Sequence, residues 1–436
     1  MFANDKMREN SGRLIKIYRE RRHQRSKDKQ FSCNEFILAT KEHPFYEIIE
    51  GAPVCSRATL NRLERGQSIK DDDLYIFFIQ KLGFQVDDFP GIMSNVERIS
   101  EELYTAVEMY DVDRIKRMDQ EVEDLFYKAK NYFYYKDIYD VLKIIIHYYL
   151  YVEYPKKDRS DLMIKICFIL NSKLKELLFN ILFDYFYYWE SNMFIAERVY
   201  QDLIRFDNGS KLSAYFIAGW LMYKEKWFDA LEITNDAIEY FDNLKSDYQL
   251  GILYFTKALA LHTGNKENVK YYFDKSIECL SLARGVLSNK KLEKNYFNIG
   301  FHYYYDKDYL SAIEYFKKYL EYKPPFTMHI LYILHCAEEL KTNSLNEYFI
   351  ELKCDENKKN DICKVFFGYF LLKINKAPEK EIETYIMHDI HKILVNKYRS
   401  DNLINYFEYE LNKLVKITKC YKDLKSFNDF TSHKID

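Results

Sequence analysis

The stretch Asn295–Pro325, NYFNIGFHYYYDKDYLSAIEYFKKYLEYKPP, decides how the fold is read. Counted from Gly300, the residues Tyr303, Tyr309, Ala312, Phe316, Tyr319 and Pro324 fall at offsets of 3, 9, 12, 16, 19 and 24. That spacing predicts two antiparallel helices. Small Gly300 and Ala312 let them approach, and large aromatics fill the space above and below. Pro324 stands where a second helix should stop.

Upstream, AYFIAGWLMYKEKWFDALEITNDAIEYF places Ala218, Leu221, Trp227, Ala230 and Ala237 at the matching offsets of 0, 3, 9, 12 and 19, with Thr234 where an aromatic is usual. Between the two, ILYFTKALALHTGNKENVKYYFDKSIECL fits with about one extra residue, through Ala258, Phe273 and Ser276. Weaker units flank them, FDYFYYWESNMFIAERVYQDLI upstream and ILYILHCAEELKTNSLNEYFIELK downstream. Helix pairs at 124–153 and 361–395 continue the stack without the consensus, as capping units do. In order and spacing these units resemble the tetratricopeptide repeat, which implies an α-helical solenoid over most of residues 100–436. The resemblance also implies a right-handed superhelix lined inside by the first helix of each pair.

Composition agrees with an all-α chain. Only 12 Gly and 7 Pro occur in 436 residues, too few for the turns of sandwiches or barrels. Aromatic residues make up 17%, and AT-rich coding is a sufficient reason for the Tyr excess. The start, MFANDKMRENSGRLIK, has no apolar leader, and the longest apolar run, around Val365–Leu372, falls short of the roughly 20 residues of a span. Cysteines 33, 55, 167, 279, 336, 354, 363 and 420 form no CxxC pair. Disulfides at these spacings are possible in principle, and reduced, mostly buried thiols are the preferred reading in a cytoplasmic protein.

Charge divides the chain unevenly. Residues 1–70 hold 15 Lys/Arg against 9 Asp/Glu, a net of +6, while the rest carries a net of −8. A basic head on an acidic body suits a nucleic-acid contact, although a solvated surface would look the same. Within the head, Gly12–Arg22 reads as a helix with Leu14, Ile15 and Tyr18 on one face. FSCNEFILA reads as a second helix, with Ser32 and Glu35 as a capping box. VCSRATLNRLERGQ reads as a third, capped by Ser56, packed through Leu60 and Leu63 and ended by Gly66. Asp71–Asp73 then open LYIFFIQKLGF, which Gly83 ends.

Cys55–Gly66 resembles the recognition-helix segment of the lambda-repressor-like, Cro-type helix-turn-helix. That resemblance implies that Ser56, Arg57, Thr59, Asn61 and Arg62 face DNA, with Ala58 able to touch a thymine methyl and Arg57 and Arg62 reaching guanine edges or phosphates. Lys16, Arg19 and Arg22 would then supply backbone contacts. The segment TKEHPFYEIIEGAP departs from the family, whose turn is three or four residues. FYEII either forms its own turn of helix or extends the second helix.

No phosphate-loop, dinucleotide or nucleophile-elbow motif occurs, so no enzyme, cofactor or metal is expected. His388 and His391 read as a surface pair, and His302 as a packed or groove-lining residue. By position, the groove of the repeats would be lined by Tyr215, Gly219 and Tyr223, then Phe255 and His262. Lys294, Phe297, Asn298, Phe301 and Tyr304 follow, with Tyr332 further on. Core packing or plain exposure competes at each. Asn298 stands out, because an amide among aromatics offers a donor and an acceptor to a peptide backbone.

A Cro-type head (residues 1–92) before tetratricopeptide-like repeats (93–436) resembles the RRNPP group of peptide-sensing regulators, which includes the Rgg, PlcR, NprR and PrgX types. The resemblance implies a cytoplasmic, homodimeric transcription factor. It would bind a double-stranded DNA operator and take a short signalling oligopeptide, as in quorum sensing, without membrane attachment. Two alternatives remain open: a helical-repeat interaction scaffold, and a Rap-like response-regulator inhibitor without DNA binding.

Overall fold

The structure, a computed structural model, describes residues 4–39, 51–205, 211–261, 268–322, 329–340, 348–349, 361–396 and 401–432. Among them there is no strand, only two isolated bridges, Leu38 with Pro53 and Gln85 with Tyr132. The all-α solenoid class holds. The chain forms two compact units, residues 1–291 and 292–436. The basic head therefore shares a unit with the body helices up to Lys291.

The head opens with a longer helix than the amphipathic pattern outlines, Asp5–Ser26. Asn4 caps it, accepting from the Met7 N–H at 2.8 Å, and Leu14 and Ile15 are fully buried. Ser32 caps the next helix as expected, but that helix is one turn, Cys33–Phe36. The longer FSCNEFILA helix is corrected: Ile37–Ala39 run antiparallel to Ala52–Val54 instead. The Ala39 N–H donates to Ala52 O at 2.9 Å and the Val54 N–H to Ile37 O at 2.9 Å, so these backbone groups find partners across the loop rather than up a helix. Residues 40–50, FYEII included, lie outside the described residues.

Local signals place the remaining head helices, Arg57–Glu64 and Asp72–Lys81. Ser56 Oγ accepts from the Thr59 N–H at 3.1 Å, and Asp71 from the Leu74 N–H at 3.1 Å. Gly66 (φ +77) supplies the left-handed turn. At Gly12 closeness decides: a Cβ there would lie 2.1 Å from the Leu63 carbonyl oxygen. The first helix thus rests directly on the backbone of Arg57–Glu64.

Body helices of the first unit follow the repeat pattern. Ala214–Tyr223 and Trp227–Leu244 meet at Ala218, Leu221 and Ala230, all buried. A Cβ on Gly251, in the helix Asp247–Leu261, would lie 2.6 Å from Leu280 Cγ. In the second unit a Cβ on Gly300 would lie 2.6 Å from the Phe316 ring, and Ala312 and Phe316 are fully buried. The spacing read from Gly300 is the packing observed. Pro324 and Pro325 lie outside the described residues.

The shortage of glycine shows in the turns. Among the described residues ten non-glycine positions have positive φ, five of them lysine. Glu225 (φ 60) and Lys307 (φ 62) each follow the small residue opening their repeat, Ala218 and Gly300, by seven positions. Val152 (φ 58) ends the helix Tyr135–Tyr151, and a β-branched side chain there is strained by about 1–2 kcal/mol. Val152→Gly is expected to raise stability by about 0.5–1 kcal/mol, less than the strain because glycine also loosens the unfolded chain. Chemical denaturation measures this, and a lowered midpoint would show that side-chain packing outweighs the strain.

Candidate functional site

The helix Arg57–Glu64 has a buried side and an open side. Leu60 and Leu63 are fully buried. Glu64, also buried, accepts a bidentate pair from Arg19, Nε to Oε1 at 2.5 Å and Nη2 to Oε2 at 2.8 Å. Arg19 Nη1 donates to Phe31 O at 3.1 Å. Arg19 is therefore not a surface cation available to a phosphate, as its place on the first helix suggests; its planar fork is spent on Glu64. Lys16 stays exposed near Glu20 (3.9 Å), and Arg22 lies over the rings of Phe31 and Phe84.

Ser56, Arg57, Ala58 and Arg62 are exposed on the open side, with Thr59 and Asn61 half-buried. Ser56 and Thr59 are engaged with each other, their hydroxyls 2.9 Å apart. Arg62 Nε donates to Gln67 Oε1 at 3.1 Å across the Gly66 turn. For Arg57 no hydrogen bond or ion pair occurs among the described residues. An arginine at the start of a capped, solvent-facing helix can reach any planar acceptor pair brought to it.

The head is joined to the body within the first unit. The Tyr18 hydroxyl donates to buried Asp137, and its ring packs 4.7 Å from that of Phe84. Arg21 donates to Asp158 O at 3.1 Å and Arg25 to the Asp158 carboxylate at 2.5 Å. Burial pushes the Asp137 carboxyl up to about 6, and the Tyr18 hydrogen bond only partly offsets it. A cleft of about 690 Å³ opens beside this joint, between Tyr18 and Arg21 on one side and Tyr139, His147 and Arg159 on the other.

The residues placed in the groove by position separate into two sets. In the first unit, Tyr215 lies under the Lys291 ammonium, 4.7 Å from the ring centroid. Gly219 is buried and Phe255 packs on Phe273, while Tyr223 is exposed beside Lys224. His262 lies outside the described residues. In the second unit, Phe297, Phe301 and Tyr304 join the aromatic core: Phe301 packs on Phe297 and Tyr332, both at 4.5 Å. Tyr304 Oη lies 2.6 Å from His335 Nδ1. Lys294 and Asn298, one helical turn apart, are exposed beside this cluster.

One polar stripe escaped the sequence reading. The helix Ser172–Asp184 buries Glu176, Asn180 and Asp184 along one face, at i, i+4 and i+8. Glu176 accepts from Tyr104 (2.5 Å) and Ser213 (2.8 Å). Asp184 accepts from Tyr148 (2.9 Å), Tyr154 and Lys291 (3.3 Å). Burial opposes the Lys291 charge, but Asp184 and Tyr215 outweigh it and push the ammonium up to about 12. Asn180 lies between the two carboxylates, and neither its amide nitrogen nor its oxygen has a hydrogen-bond partner among the described residues. The signal was present as three polar residues four apart in the otherwise apolar run LLFNILFD and the turn before it.

The chain is a helical-repeat protein. No protein-family model matches it, and no curated protein does. Among solved structures it is similar to one described as the crystal structure of Rap protein complexed with competence and sporulation factor. The identity is 14% and the TM-score 0.46, over 77% of this chain and 99% of that one. No helix among the described residues is long and apolar enough to cross a membrane.

The Asp137 joint has a pH signature. Its folded form holds the proton up to about pH 6, against 3.8 ordinarily, so its contribution is fully present below pH 4 and is lost as pH rises towards 6. The loss is about 3 kcal/mol. Asp137→Asn, which keeps an acceptor for Tyr18, is expected to gain on the wild type by about that amount between pH 4 and 7.5. Denaturant titrations at both pH values test this, and a difference that stays constant would refute it.

Proposed function

We propose that the protein is a cytoplasmic transcriptional regulator, not an enzyme, that binds operator DNA as a homodimer and is controlled by a short oligopeptide in its repeat groove. One observation carries the reading. The helix Arg57–Glu64 is clamped from behind by Gly12, Leu63 and the Arg19–Glu64 pair, while Ser56, Arg57, Ala58 and Arg62 stand exposed at its front. That arrangement suits a helix entering a major groove, with Arg57 and Arg62 donating to guanine edges or phosphates and Ser56, Thr59 and Asn61 beside them. Two copies would read half-sites about one helical turn apart.

For the peptide, the supporting features are amides next to aromatic rings. In the second unit Asn298 and Lys294 are exposed beside Phe297, Phe301 and Tyr304, and in the first unit the amide of buried Asn180 has no hydrogen-bond partner among the described residues. In the first unit, Tyr215, Tyr223, Phe255 and His262 are proposed as peptide contacts of that unit alone. A peptide alters DNA affinity only by binding the two states of the protein unequally. The Tyr18–Asp137 and Arg25–Asp158 contacts give the body a means of acting on the head.

A second reading, an interaction scaffold or response-regulator inhibitor without DNA binding, draws on the one-turn helix Cys33–Phe36, which is too short to cross a DNA backbone in the usual way. Fluorescence anisotropy with a randomised duplex pool separates the two. The regulator is expected to bind with an affinity that falls steeply with salt. Arg57→Ala with Arg62→Ala should weaken specific binding by roughly 1–3 kcal/mol per contact without altering the melting temperature. Salt-independent or absent binding by the wild type would favour the scaffold.

A further inference from the structure

Three ligand-type side chains distant in sequence converge in the second unit. Glu383 lies on the helix Glu379–Tyr385. Lys419 (φ 64) turns the chain after the helix Asp401–Thr418, which brings Cys420 and Asp423 to the start of the helix Tyr421–Ser432. One carboxylate oxygen of Glu383, the Cys420 Sγ and one carboxylate oxygen of Asp423 lie within 4.8 Å of one another. Glu383 is completely buried, yet its Oε1 has no hydrogen-bond partner among the described residues.

A cation already occupies the middle of this group. The Lys380 ammonium lies 3.0 Å from Cys420 Sγ, 3.2 Å from Glu383 Oε2 and 3.6 Å from Asp423 Oδ2. Its side chain is 57% exposed, so it can swing into solvent at little cost. An ammonium leaves one buried oxygen unengaged and is a poor match for sulfur. A borderline-soft divalent ion suits both donor types, and the thiolate selects against Mg²⁺ and Ca²⁺.

We propose that Glu383, Cys420 and Asp423 form a Zn²⁺ site with a water as fourth ligand. Lys380 competes for the same space, and the ion clips the helix Tyr421–Ser432 to Glu379–Tyr385. Zn–S near 2.3 Å and Zn–O near 2.0–2.2 Å set tetrahedral ligands about 3.5 Å apart. The three side chains need to close by about an ångström.

The test uses the full chain stripped with chelator, titrated with Zn²⁺ by calorimetry and with Co²⁺ by absorption. The expected result is one equivalent bound with a thiolate-to-Co²⁺ charge-transfer band. Cys420→Ser should abolish the band, and Cys420→Ser or Glu383→Gln should weaken Zn²⁺ binding about tenfold or more. Lys380→Ala should bind roughly two- to fivefold tighter, the size of one exposed ion pair removed as competitor. Far-UV circular dichroism confirms that each variant folds. Absence of the band in both wild type and Lys380→Ala, or a band that persists in Cys420→Ser, overturns the proposal.

Discussion

Two helices can lie about 8–10 Å apart only where the side chains at their crossing leave room. In this chain the room comes from single small residues: Gly12 under the Leu63 carbonyl, Gly251 under Leu280, Gly300 under Phe316, and Ala218 facing Ala230. Leu63, Leu280 and Phe316 close over the three glycines. Aromatic rings fill the layers between crossings, and exchange of a small residue for a larger one would push backbone or a buried ring aside. The repeat architecture and the seating of the helix Arg57–Glu64 rest on this one constraint.

Buried charge is the second organising feature. Arg19–Glu64 in the head, Asp184–Lys291 in the body and Glu410 in the second unit are each enclosed and hydrogen-bonded. Burial works against the Glu410 charge, but Lys373, Tyr369 and Lys413 outweigh it and hold its carboxyl at about 2. Such pairs add little net stability compared with apolar packing, but losing one partner is costly. Arg19–Glu64 therefore sets orientation. Glu64 faces inward, and Arg62, two residues before it on the same helix, is thereby directed outward.

What was legible in the sequence was local. Ser32, Ser56 and Asp71 cap helices because each side-chain oxygen meets an N–H three residues on, and Gly66 and Gly83 close helices because they accept positive φ. The repeat register was legible for a similar reason, since small and large residues alternate at fixed helical offsets. Less visible was the end of the helix at Phe36, which depends on pairing with Ala52–Val54 across a loop. The turns at Lys27, Lys245, Lys307, Lys376 and Lys419 also escaped, because lysine carries no signal for a left-handed residue.

Side-chain roles divide along the same line. Sequence alone determined the all-α class, the helix pairs around Gly300 and Ala218, and the capped helix Arg57–Glu64, since each follows from propensity and spacing within about 30 residues. Only tertiary structure decided that Arg19 is spent on Glu64 and that Phe255 packs on Phe273. It alone set Asn180 between two buried carboxylates, and Glu383 beside Cys420 and Asp423. A long polar side chain takes its role from whichever group folding brings within about 3 Å of it. That group stands 45 residues away for Arg19 and 107 for Asp184, beyond the reach of any local pattern.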